Sequence, residues 1–378
     1  MNILQVVRQY LPSTGGMETY VSSLCRQLSQ RGHHADVATL DYLFKSHEPL
    51  PHYQRVNGTD VIRLPSAGTA RFFFAPRLME MAPRYDVIHV HGVDFFVDLL
   101  GTCKKAHGRP VVLSTHGGFF HTPWVPWIKQ AYFQTVTRAS LRGIDRIIAS
   151  SPKDEQLFAS VSSRVALVEN GIDFPAFAAV EKPAGLAGEK LVFVGRISRN
   201  KRVDLLQAML AELRLTHPDA TLTVIGPDWE GLQAGLERRA VALGVGGAVD
   251  FAGVLPQEKM LEELASARLF VSASEYEAFG LSTVEAMATG TVPVVSGIPA
   301  FADLIENGAT GFLSDFNDPM AAAAAVAAAL EMPEAELRGI GAAARESASR
   351  HDWSHAAEEI VTIYEEVLAG HERSAGRS

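Results

Sequence analysis

Cysteine is scarce in this sequence, with Cys25 and Cys103 the two such residues in 378. That excludes a disulfide framework and supports no Cys-based metal site. No apolar run approaches the roughly 20 residues needed to span a bilayer. The Ala-rich stretch from Met320 to Leu330 is too short for that and reads as a buried helix. The first residues, MNILQVVRQYLPSTGG, have no basic start followed by an apolar stretch, so no secretory signal is expected and the expected location is cytoplasmic. Charge is moderate at 20%, against 47% hydrophobic residues, a balance that speaks for a packed chain and against extensive disorder. At this length one ordinary core is exceeded, and two domains of average size are expected.

The net charge of −9 is unevenly spread. Up to Asp173 there are 18 Lys and Arg against 14 Asp and Glu, and the remainder has 16 against 29. Nine of the 13 histidines also fall in the first part. A cationic half beside an acidic half suggests that one of them meets anions.

Short apolar runs alternate with helix-period segments along the chain. Ile3 to Val7 is a buried strand; a Gly-containing turn follows, then Met17 to Gln30 with Tyr20, Val21, Leu24 and Leu28 at helical spacing. Further strands are expected at 37–40, 61–64, 87–90, 111–114 and 146–149. Asn170-Gly171 breaks the series, and residues 173–188 have the Ala, Pro and Gly of a linker. The alternation restarts at Leu191 to Val194 and runs to Val292 to Val295. Such β-α alternation predicts an α/β protein of two doubly wound parallel sheets, whose strand C-termini would face each other across a cleft. The expected divisions are an N-terminal domain over 1–172, a C-terminal domain over 173–354, a helix over 355–369 packing back toward the first domain, and a solvated tail over 370–378.

Four constellations carry chemistry. Gly15-Gly16-Met17-Glu18 follows a strand and opens a helix, where backbone N–H groups can approach a phosphate. Gly195-Arg196-Ile197-Ser198-Arg199-Asn200-Lys201 stands at the corresponding point of the second half, and its cations suit an anionic diphosphate leaving group. Glu277-Ala278-Phe279-Gly280-Leu281-Ser282-Thr283-Val284-Glu285 places two carboxylates eight residues apart. Glu277 lies in a loop and Glu285 about two turns into the following helix, suited to a ribose diol. The N–H groups of Gly280 and Leu281 suit a phosphate. Ser114-Thr115-His116-Gly117-Gly118 ends a strand, so His116 can face a ligand.

As a set and in this order, with Asn170-Gly171-Ile172-Asp173, these motifs resemble glycosyltransferase family 4 over nearly the whole chain. Val6-Val7-Arg8-Gln9, His91-Gly92-Val93-Asp94-Phe95-Phe96 and the run STHGGFFHT from Ser114 narrow the likeness. They resemble the mannosyltransferases that extend a lipid-diphosphate-linked cellobiose in xanthan- and acetan-type exopolysaccharide assembly. The resemblance implies the GT-B architecture of two Rossmann-like domains, GDP-mannose as donor, an α-1,3 linkage and a polyprenyl-diphosphate acceptor. It implies that Arg196 and Lys201 hold the donor diphosphate, Glu285 the ribose, and Glu277 the transferred sugar. His116 would contact that sugar near its reacting face, Gly15 and Gly16 would leave room for the diphosphate, and Val254 would lie near the base. Glu18, Asn170, Phe279, Gly280 and Leu281 complete the expected substrate contacts.

The sequence has no Asp-x-Asp triplet, the metal motif of the other large transferase architecture, so no metal and no cofactor are expected. Retention of configuration is implied, with the leaving phosphate accepting the acceptor's proton. A lipid-linked acceptor implies contact with the inner face of the cell membrane. Arg71 to Arg77 and Trp124 to Lys129 mix aromatics with cations as interfacial segments do. No nucleic acid partner is expected. Rival readings are a UDP-glucose or UDP-N-acetylglucosamine transferase, a sugar-nucleotide epimerase and a sugar-binding protein.

Overall fold

The computed structural model describes residues 1–13, 15–44, 46–68, 73–117, 133–183 and 188–375, without the side chains of 133, 134, 374 and 375. They form two units, Met1–Gly171 with Trp353–Ser378, and Ile172–Asp352. The first unit closes where Gly171 meets Trp353, so tightly that a Cβ at 171 would lie 2.7 Å from the indole. The second closes where the Ile172 N–H donates to the His351 carbonyl at 2.8 Å.

In the first unit the strands are β1 (Asn2–Val6), β2 (His34–Leu40), β3 (Tyr53–Val56), β4 (Thr59–Leu64), β5 (Ala67–Gly68), β6 (Phe73–Phe74), β7 (Val87–His91), β8 (Val111–Ser114), β9 (Arg146–Ala149) and β10 (Val165–Leu167). Eight of them make one sheet in the order β10-β9-β8-β7-β1-β2-β4-β3, parallel except for β3 on β4, while β5 and β6 pair separately. One face of the sheet packs Phe96, Leu100 and Phe158. The other carries Ile3, Val7 and Val87 beneath the helices Gly16–Gln30 and Trp353–Ala375. Buried on both faces, the central strands read as continuous apolar runs, interrupted at Gln5, His89 and His91.

The second unit holds β11 (Lys190–Val194), β12 (Thr221–Ile225), β13 (Val249–Gly253), β14 (Leu269–Ser272), β15 (Val292–Ser296) and β16 (Phe312–Ser314). Their order is β13-β12-β11-β14-β15-β16, all parallel, the doubly wound order in which the chain reverses direction between β11 and β14.

Two expectations shift. The last helix begins at Trp353 and continues to Ala375, through much of the segment read as a tail. Gly370 is the sole strong helix breaker within it, and the buried stripe of Trp353, Ala356, Ile360, Ile363 and Tyr364 fixes the rest. Glu285 is the fifth residue of the helix Leu281–Ala288, just over one turn in, because the helix starts after Gly280 and no earlier.

Candidate active site

In the first unit the reversal of strand order falls between β1 and β7, and ligands of such sheets bind beyond the strand C-termini there. His116 stands two residues past β8 in the left-handed region, φ +50°, a strained setting for a non-glycine residue. Asp154 holds it there. Its carboxylate accepts from Thr115 Oγ1 at 2.7 Å and the Gly117 N–H at 2.8 Å, bracketing His116, and from Ser150 Oγ at 3.2 Å. Tyr20 meets the imidazole edge-on at 4.5 Å, and His91 Nδ1 lies 2.9 Å from His116 Nε2. Burial lowers the His116 pKa to about 4, and those of His89 and His91 well below the ordinary value, so all three rings are neutral at pH 7.

Gly15 is the N-cap of the first helix and Gly16 its first residue. A Cβ on Gly15 would lie 2.5 Å from Glu18 Oε2, because Glu18 folds back over the cap, where Ser13 Oγ donates to it at 3.2 Å. The helix N-terminus is thus already met by a carboxylate. Asp94, past β7, caps the helix Phe95–Thr102 by accepting from the Phe96 N–H and pairs with Arg8 at 3.1 Å. Its burial raises its pKa to about 6 against the opposing pull of Arg8. Asn170 is buried, and its Oδ1 has no hydrogen-bond partner among the described residues.

In the second unit the loops after β11 and β14 flank the corresponding point. Lys201 and Glu277 form an ion pair across them, each side chain 13% exposed. Ser274 Oγ donates to the same Glu277 oxygen at 2.8 Å. Asn200 Nδ2 donates to the Tyr276 carbonyl at 2.8 Å, and the Glu275 N–H to the Asn200 carbonyl at 3.0 Å. Arg202, itself left-handed, pairs with Glu275. The two loops are therefore joined at several points. Arg196 is exposed, with its guanidinium 4.9 Å above the Trp229 ring, a cation–π contact.

Gly280 takes φ +102°, and a Cβ there would lie 3.0 Å from the Phe301 ring. It heads the helix Leu281–Ala288, which has no side-chain cap. Phe279 is buried against His351. The Glu285 side chain, one turn in, has no hydrogen bond or ion pair among the described residues, and burial pushes its carboxyl up to about 7. Val254, past β13, is 72% exposed.

Of the expected site residues, the second unit thus gathers Arg196, Lys201, Glu277, Phe279, Gly280, Leu281 and Glu285 around one strand-end edge, with Val254 farther out, just past β13. The first unit gathers Gly15, Gly16, Glu18 and His116 around another. The reading of the sequence missed Asp154, Gln5, His91, Ser274 and Asn200. For Gln5 and His91 a signal existed, since polar residues inside otherwise apolar central strands need a reason. Of the two aromatic-cationic segments, Phe73 and Ala75 are core, Phe74 is 52% exposed, and residues 71–72 and 124–129 lie outside the described residues.

Two doubly wound sheets, each with polar and glycine-rich loops at its strand-order reversal, define the GT-B class of glycosyltransferases. A sucrose-phosphate synthase from Thermosynechococcus elongatus superposes with a TM-score of 0.78 at 22% identity, over 98% of this chain and 99% of that one. The family models for Glycosyltransferase Family 4 and for Glycosyl transferases group 1 match residues 14–174 and 181–347. Two relatives, from Xanthomonas campestris and Komagataeibacter xylinus, are 34% and 35% identical. Both alignments cover 97% of this chain, with 97% of the former relative and 94% of the latter. Each is named a GDP-mannose:cellobiosyl-diphosphopolyprenol alpha-mannosyltransferase. The chain belongs to glycosyltransferase family 4. No helix among its described residues is long and apolar enough to cross a membrane.

Proposed function

We propose that this protein transfers mannose from GDP-mannose, with retention of configuration and without a metal ion, to a cellobiosyl group on polyprenyl diphosphate in bacterial exopolysaccharide synthesis. The observation that carries transfer from a nucleotide diphosphate is the joined pair of loops after β11 and β14. There Arg196 and Lys201 supply cations, and the uncapped helix that opens at Leu281 and carries Glu285 supplies N–H groups. The names of the relatives support the mannosyl donor and the lipid-linked acceptor.

The bond from the anomeric carbon to the diphosphate oxygen breaks, and its electron pair passes to the phosphate. Arg196, Lys201 and the helix N–H groups stabilise the growing negative charge. The acceptor hydroxyl attacks from the same face and gives its proton to the departing phosphate oxygen, so no protein nucleophile takes part. Glu277, paired with Lys201, orients the sugar; Glu285 accepts from the ribose hydroxyls; neutral His116 contacts the sugar near its reacting carbon. The acceptor's lipid brings the reaction to the inner face of the cell membrane, where exposed Phe74 adds apolar surface.

Calorimetric titration with GDP-mannose, GDP, UDP-glucose and UDP-N-acetylglucosamine in the presence of EDTA tests the donor. The expected result is binding of the guanine ligands, weakened in Glu285→Ala and Lys201→Ala, followed by mannosyl transfer to a cellobiosyl-diphosphopolyprenol. Preference for a uridine ligand overturns the donor, and binding that vanishes with EDTA overturns metal independence.

A further inference from the structure

Beneath His116 runs a buried chain of polar side chains that the reaction itself does not use. Gln5 and His89 face each other on paired strands β1 and β7, and His91 lies two residues beyond His89 on the same face. Tyr364, from the helix Trp353–Ala375, closes the network from above. All four side chains are fully buried. Polar groups so placed cost stability unless each donor and acceptor is matched, so the matching has a direction.

That direction can be followed atom by atom. The Gln5 amide nitrogen donates to Tyr364 Oη at 3.3 Å. Its oxygen, which can only accept, lies 2.7 Å from His91 Nε2, so that nitrogen carries the proton. Among the described residues no carboxylate touches the three imidazoles, and burial keeps them neutral. A neutral His91 protonated at Nε2 offers a lone pair at Nδ1. His116 Nε2, 2.9 Å away, must then be the donor. The Tyr364 hydroxyl donates to His89 Nδ1 at 2.6 Å, and His89 Nε2–H donates to Ser114 Oγ at 2.8 Å.

We infer that Gln5, His91 and Tyr364 are positioning residues that hold His116 in its Nε2–H form, leaving the Nδ1 lone pair to accept a hydrogen bond from a hydroxyl of the transferred sugar. His116 Nδ1 has no partner among the described residues, and the residue is only partly buried by its neighbours, keeping a minor share of its surface open. A neutral imidazole has one donor and one acceptor, and the wrong tautomer would present an N–H where a lone pair is required. The role of His116 toward the sugar is the reading given above, on which this inference rests.

The test combines nitrogen NMR of 15N-histidine-labelled protein with steady-state transfer kinetics on wild type, Gln5→Leu, Tyr364→Phe and His116→Ala. The expected wild-type spectrum shows His116 protonated at Nε2 and bare at Nδ1. In Gln5→Leu the tautomers mix, kcat falls about tenfold, and KM for the donor stays within about twofold. Tyr364→Phe, which keeps the ring, loosens the Gln5 amide and moves the same readouts less; it decides the matter should Gln5→Leu fail to fold. Protonation of wild-type His116 at Nδ1, or unchanged tautomer and kcat in a folded variant, overturns the inference. Unchanged turnover in His116→Ala would instead remove the role of His116 toward the sugar, while the tautomer spectra still decide how its ring is held.

Discussion

Lys201 and Glu277 stand 76 residues apart in sequence and form an ion pair that joins the loops after β11 and β14. Each is well shielded, and Ser274 shares the Glu277 oxygen. Removing one member leaves the other partly buried and unmatched, so single substitutions cost more than the pair contributes. Lys201→Met and Glu277→Gln are each expected to destabilise the protein by about 1–3 kcal/mol, and the double variant by less than their sum. A denaturation cycle on the four proteins measures this. Strict additivity would show that the pair is not formed in solution.

On the proposed function, Glu285 is expected to make the nucleotide affinity pH-dependent. Its raised pKa of about 7 means that the carboxylate, the form that accepts from two ribose hydroxyls, fills only as pH rises through that value. Affinity for GDP is therefore expected to strengthen between about pH 6 and about pH 8, and Glu285→Gln to flatten the profile. The sign for stability is opposite. The folded state holds its proton where the unfolded state has lost it, so this group's contribution falls as pH climbs from the ordinary carboxyl range through about 7. Titration calorimetry and melting curves at the same pH values check both.

Asp154 serves the loop rather than the chemistry. Asp154→Ala strips Thr115 Oγ1, the Gly117 N–H and Ser150 Oγ of their shared acceptor, and the left-handed His116 loses the bonds on either side of it. The expected cost is about 2–4 kcal/mol in stability, with kcat for transfer down by at least about tenfold. GDP affinity, assigned to the second unit by the proposed function, is expected to stay within about twofold. A loss of GDP binding as large as the loss of kcat would contradict this division.

Acid should unfold the first unit through its histidines. His116 falls to about 4 and His89 and His91 lie well below the ordinary histidine value, so the folded state holds fewer protons than the unfolded state below about pH 6.5. Stability from these groups is complete above that pH and is lost as pH drops toward 4. His89→Gln and His91→Gln are expected to reduce the pH dependence of the melting temperature between these limits, even where they lower its value at neutral pH. A slope unchanged by both substitutions would refute the burial of neutral rings.

Several parts of the molecule were legible before any coordinates. The apolar runs at Ile3, Val87, Leu191 and Val292 read as buried strands because a strand covered on both faces needs apolar residues in succession. Gly15-Gly16 and Gly280 were placed at helix starts, and His116 and Arg196 at strand ends, by local sequence alone, since a strand's end and a helix's start are written in neighbouring residues. Edges were harder. Tyr53–Val56 is mostly exposed and β10 has three residues, so neither carries a period to recognise.

What the sequence by itself determined is the class of fold and the order of its elements, and it marked the loops proposed to hold the chemistry, because periodicity and turn residues act over short separations. What the tertiary structure decided is which side chains meet within each unit. Gln5 and Tyr364 touch across 359 residues, His91 and His116 across 25, Lys201 and Glu277 across 76. No local pattern announces such pairs; they follow from strand order and packing, which bring β7 beside β8, β11 beside β14 and the last helix over β1 only once the units have formed.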